Sequence, residues 1–221
     1  MAGSLNINRF RELFEEARVE AYDYFDRSIR RLPRDKEGLI KIVGVGLDDN
    51  DVDAFRHAYV SGVFTQEYGE KTAEILGLLN EYDPIGQSSN SADPRSRNMD
   101  LWNNRVGRKY GGKTSGRKGL LKLIHQALKA GELITDLKDP RKFSGKTAPP
   151  KRMAKPIIAL QKSKSGRVEM YFDLLKRVSM TREELVSSIQ SGAYSGYSIK
   201  IIRGVETPVS KHDGKTGNNI G

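Results

Sequence analysis

Residues 48–66 read DDNDVDAFRHAYVSGVFTQ, and their reading decides what kind of protein this is. The opening run Asp48-Asp49-Asn50-Asp51 offers several N-caps, because Asp and Asn oxygens accept the free N–H groups of a first helical turn. The acids also suit the positive end of a helix. A helix is therefore predicted over 52–66. Within it Asp53 and His57 stand at i and i+4 and share a face. A carboxylate one turn before an imidazole can fix its tautomer and raise its basicity, which suits acid–base chemistry. An ordinary Asp–His surface pair has the same spacing.

Working outward, residues 7–31 place Phe10, Leu13, Phe14, Ala17, Ala21, Tyr24, Phe25 and Ile29 on one helical stripe, ended by Leu32-Pro33. A β-branched run from Ile40 to Val45 reads as a strand or an ordered loop. A second helix is expected over 69–81, ending at Glu81. The negative end of a helix disfavours a charge there, so Glu81 suits a proton donor. Residues 82–98 are rich in turn formers and read as a loop with room for a short hairpin. A short helix over 99–110 carries Asp100, Asn103, Asn104, Arg105 and Arg108. Asn both donates and accepts, so the adjacent amides can hold a water or a sugar hydroxyl, with the guanidiniums and Arg56 as substrate contacts. Capping and turn chemistry is the plainer use of the same residues. After a basic, Gly-rich connector, residues 120–130 form an amphipathic helix stopped by Gly131.

Residues 138–155 lose apolar periodicity and read as a basic linker. Beyond it, 156–162 and 167–175 read as strands. Thr181 to Glu184 has capping-box spacing before a short helix, and 197–202 with 205–209 reads as a hairpin across Arg203-Gly204. The expected class is α+β. A mainly helical domain (1–137) carries the chemistry, a linker (138–155) follows, and a small β-β-α-β-β module (156–221) closes the chain. No internal repeat is visible.

Composition bounds the function. The 221 residues are 37% hydrophobic and 8% aromatic, enough for a modest core. The longest apolar runs, such as 157–160, are far too short to cross a bilayer. The first residues show no Sec-type signal, so any export is expected to use a dedicated secretion apparatus. Without cysteine there are no disulfides, thiolate nucleophiles or thiolate metal sites. Of the net charge of +10, residues 105–164 carry seventeen Lys or Arg against three acids, so the remainder of the chain is net acidic. Such a block points to an anionic partner, cell wall or nucleic acid.

Two further signals are weighed and set aside. Gly107 to Thr114 matches G-x-x-x-x-G-K-[ST], yet no apolar strand leads into it, so no nucleotide site is expected. A metal would have to use His57 with Asp53, Glu81 or Asp100, since His125 and His212 lie in unrelated segments. No cofactor and no metal are expected.

Asp53-Ala-Phe-Arg56-His57-Ala-Tyr, a helix ending in Glu81, and Met99-Asp100-Leu-x-Asn103-Asn104-x-x-Gly107-Arg108 together resemble a little-characterised family of bacterial polymorphic-toxin and effector domains. The resemblance covers about residues 48–112. Family members often carry His-Glu at the second motif, where this chain has Asn80-Glu81. The segment from Thr181 to Gly192 and the tail DGKTGNNIG are similar to small uncharacterised bacterial modules. The resemblance implies an antibacterial toxin, hence an immunity protein as partner and a target-cell periplasm or cytoplasm as destination. The expected activity is hydrolysis, with Glu81, His57 and Asp53 catalytic. A lysozyme-like attack on peptidoglycan glycan is favoured. The alternatives are a nuclease with His57 and Glu81 as base and acid, and a non-enzymatic nucleic-acid or envelope binder.

Overall fold

The computed structural model describes residues 5–41, 46–82, 93–147, 153, 155–163, 165–176 and 178–212. The protein is α+β, with a helical N-terminal region and antiparallel strands in its C-terminal part. It divides into two units, Leu13–Pro149 and Pro150–Gly221, the second together with Met1–Glu12. The division falls inside the stretch read as a linker.

The helical unit holds α1 (Leu5–Ser28) from Leu13 onward, α2 (Asp51–Tyr68), α3 (Glu70–Tyr82), α4 (Pro94–Gly111) and α5 (Arg117–Lys129). The central element is α2, buried almost all round from Val52 to Thr65. Its cap is Asn50, whose side chain accepts from the N–H groups of Val52 and Asp53. Helix α4 begins five residues earlier than the periodicity suggests, because Asp93 caps it and Pro94 sits in the first turn, where a missing N–H costs nothing. Helix α5 likewise starts within the basic connector, at Arg117. The Ile42–Val45 part of the β-branched run, residues 83–92 of the predicted loop with its short hairpin, and the tail from 213 lie outside the described residues.

Helices α2 and α4 touch backbone to backbone. A Cβ on Gly107 would lie 1.9 Å from the carbonyl oxygen of Ala58, and one on Gly111 would lie 2.5 Å from that of Gly62. The first glycine of the apparent phosphate-loop match, Gly107, thus serves a helix contact. Aromatic packing fixes α1 on α2, with Tyr24 stacked on Phe55 and Phe25 set edge-on to it.

Residues 138–147, part of the predicted linker, pack on α4. Asn98 accepts from the Phe143 N–H and donates to the Arg141 carbonyl. The Arg97 guanidinium donates to the Thr147 carbonyl.

The second unit holds a three-stranded antiparallel sheet, β1 (Ile157–Lys162), β2 (Val168–Asp173) and β3 (Val178–Thr181), in the order β1-β2-β3. Helix α6 (Arg182–Gln190) follows, then the hairpin of β4 (Tyr197–Ile202) and β5 (Val205–Ser210). Strand β3 had no signal of its own beyond the cap. The capping box is formed in full, Thr181 to the Glu184 N–H and Glu184 back to Thr181. Ile157, Tyr171, Leu185 and Tyr197 lie at the centre of this unit's core. Among the described residues no helix is long and apolar enough to cross a membrane.

Candidate active site

Three helices bring Asp53, Arg56, His57, Glu81, Asp100 and Asn104 together. Asp53, Arg56 and His57 come from one and a half turns of α2. Glu81 stands in the last turn of α3. Asp100 and Asn104, one turn apart, share a face of α4. Asp53, His57, Asp100 and Asn104 are buried, and Glu81 is partly so.

Asp53 is spent on structure. One carboxylate oxygen takes the Arg56 guanidinium and the other accepts the Asp49 N–H at 2.9 Å. Burial works against its charge, but His57, Arg56 and that N–H outweigh it and hold the carboxyl below its usual range. Arg56 is buried too, and the Asp53 charge keeps its guanidinium firmly protonated against that burial. Arg56, expected from the sequence as a substrate contact, is thus engaged by Asp53.

The second contact of Arg56 decides the chemistry of His57. Nη2 lies 2.9 Å from Nε2 of the imidazole. A guanidinium nitrogen can only donate, so in the neutral imidazole this contact puts the lone pair on Nε2 and the proton on Nδ1. Nδ1 faces Glu81 Oε1 at 3.6 Å. Nε2 also lies 3.3 Å from Asp100 Oδ1. A charged carboxylate facing that lone pair would be repelled, whereas a protonated one could donate to it.

Asp100 is biased toward that protonated form. Burial, together with the charges of Glu81 and Asp53, raises it well above the usual carboxylate range. Its Oδ1 is buried and has no hydrogen-bond partner among the described residues. Glu81 receives the side-chain amides of Asn104 and Asn80, each at 3.4 Å. The centre therefore holds a carboxyl pair, Asp100 and Glu81, set against an imidazole of fixed tautomer. The helix-end argument pointed to Glu81; burial inside three helices adds Asp100 as a carboxyl whose protonated form is favoured, which sequence spacing, carrying no burial, does not show.

Asp53, His57 and Asp100 offer ligand atoms within 4.8 Å of one another and are the described residues that could hold a divalent ion. The Arg56 guanidinium already lies against Asp53 and Nε2. A cation bound there would have to displace it.

Three predicted substrate contacts lie elsewhere. Asn103 is fully buried, and its amide clasps the Ile134 backbone, donating to the carbonyl and accepting from the N–H at 2.9 Å each. Arg105 is stacked on Trp102 and Phe143, away from the cluster. Arg108 is buried, which lowers its pKa against the pull of Glu74 and Glu70 on α3.

No curated protein and no solved structure matches the chain. Residues 41–132, which span α2 to α5 and so contain the whole cluster, are similar to a domain of unknown function, DUF6973.

Proposed function

We propose that the protein is an antibacterial effector that hydrolyses peptidoglycan glycan, with the Asp100–Glu81 pair as its acid–base unit. The observation that carries this reading is the buried Asp100 carboxyl, which burial and the neighbouring Glu81 charge bias toward its protonated form. Carboxylic acids kept neutral by their surroundings can protonate a leaving oxygen at neutral pH. The pair would give its proton to the glycosidic oxygen as the C–O bond breaks. The resulting carboxylate would then take a proton from the water that adds to the sugar carbon. His57, its tautomer set by Arg56, presents Nδ1–H to Glu81 and orients it. Asn104 holds the same carboxylate from α4. The toxin role, the immunity partner and the dedicated secretion rest on the motif resemblance.

The nuclease alternative needs a His57 nitrogen free to act as base. Nε2 faces Arg56 and Asp100, and Nδ1 faces Glu81, which weighs against it. The test is expression in a bacterial cytoplasm and, with an added export signal, in the periplasm. Toxicity confined to the periplasm, release of muropeptides from purified sacculi, and a loss of at least about 10²-fold in Glu81→Gln are expected. Toxicity confined to the cytoplasm, with sacculi untouched, refutes the glycan reading and favours the nuclease. A folded Glu81→Gln/His57→Ala variant that stays fully toxic would leave the cluster as scaffold and favour a binding protein.

A further inference from the structure

Trp102, Arg105, Lys109, Glu132 and Arg141 line an open cleft of about 450 Å³. Its basic side chains differ in how they are used. Arg141 makes a two-pronged pair with Asp139 and donates to the carbonyls of Gly131, Glu132 and Leu133. Lys109 pairs with Glu132 at 3.0 Å. These two cations are neutralised locally by Asp139 and Glu132.

Arg105 is not. Its guanidinium lies 4.6 Å from the Trp102 ring centre and 5.1 Å from that of Phe143. Among the described residues it has no hydrogen bond or ion pair. Stacking on rings uses the faces of a guanidinium and leaves its in-plane N–H groups to point outward. It also fixes the plane, so little side-chain freedom remains to be lost when a ligand binds. An oriented planar fork with spare donors and an unneutralised charge matches an oxyanion, which it can bind through two parallel hydrogen bonds. Trp102 is itself tied down, donating its indole N–H to the Glu132 carbonyl at 2.8 Å.

We infer that this cleft is an oxyanion subsite, with Arg105 as the ligand-binding fork for a carboxylate or a phosphate group. The site is separate from the acid–base cluster and goes beyond the hydrolase reading. It also gives the basic 105–164 block a specific contact, where charge alone gives only general attraction.

Trp102 is the only tryptophan in the chain, so indole emission reports on this cleft alone. The full-length protein is titrated with sodium phosphate or sodium acetate at constant ionic strength, with chloride as the control. A saturable change in emission is expected with at least one oxyanion and none with chloride. Saturation by phosphate alone marks the source as a phosphate group; saturation by acetate alone marks it as a carboxylate. Arg105→Gln should abolish the response. Arg105→Lys keeps the charge but loses the fork, and should weaken binding by at least about tenfold. Glu81→Gln should bind as the wild type does, so a failed hydrolase reading leaves this test intact. An unsaturable response to both oxyanions, an equal response to chloride, or unchanged binding in folded Arg105→Lys overturns the proposal.

Discussion

Replacing Asp100 by Asn separates stability from activity. Asn copies the protonated carboxyl, since its Nδ2 can donate to His57 Nε2, which lies 3.3 Å from Oδ1 in the native protein. The sign of the effect follows from the raised pKa. In the unfolded chain Asp100 loses its proton near the ordinary value of 3.8, while in the folded chain it keeps it to higher pH. Between those two values the folded state binds more protons, so rising pH costs the wild type stability. The cost is about 1.4 kcal/mol for each pH unit of that window. Asp100→Asn has no such cost. The variant should match the wild type below about pH 4, then gain on it by that slope until the folded Asp100 ionises. Urea unfolding across a pH series measures this directly. The same substitution removes the proton that the mechanism transfers, so lytic activity should fall by at least about 10²-fold. A variant less stable than the wild type at neutral pH, by an amount that shrinks as pH falls, would refute the reasoning, because Asp100 would then be a charged, paired carboxylate.

Two further substitutions test the scaffold. Asn103→Ala removes both partners of the Ile134 backbone and should destabilise by about 2–5 kcal/mol, with residual activity tracking the folded fraction. A chemical denaturation curve decides it, and a loss below about 1 kcal/mol would mean that water replaces the clasp. Gly107→Ala drives a methyl into the Ala58 carbonyl and should cost at least about 3 kcal/mol or prevent folding, visible as lost helical circular dichroism. A well-folded Gly107→Ala protein would show that α2 and α4 can separate.

The sequence made the helices legible wherever a cap met an apolar stripe. Asn50 before α2 and Thr181 with Glu184 before α6 are such cases. The start of α4 was missed because 93–98 carries no apolar stripe; Asp93 and Pro94 alone mark it. In the site, Asp53, His57, Glu81, Asp100 and Asn104 could be grouped by motif order, since each falls on a helix end or face that three packed helices can bring together. Asn103 and Arg105 could not be told from them. One residue along α4 turns the side chain by about 100°, and only packing reveals which face meets α2 and which meets Ile134. The role of Arg56 was also hidden, because a motif names residue types and does not say whether a guanidinium looks outward or at its own helix.

The glycine contact between α2 and α4 has a consequence for how the centre can vary. With backbone against backbone at Gly107 and Gly111, no side chain separates the two helices there, and no rotamer can adjust their spacing. Asp53, His57, Asp100 and Asn104 all ride on that pair, so their mutual distances work as a fixed gauge. Glu81 alone is carried by a different helix, seated on Ala73, Ile75, Leu78 and Leu79. Side-chain volume beneath α3 is therefore a tuning screw for one distance, that between the Glu81 and Asp100 carboxyls. Ile75→Val or Leu78→Met would move the proton-sharing partner while leaving the rest of the centre in register.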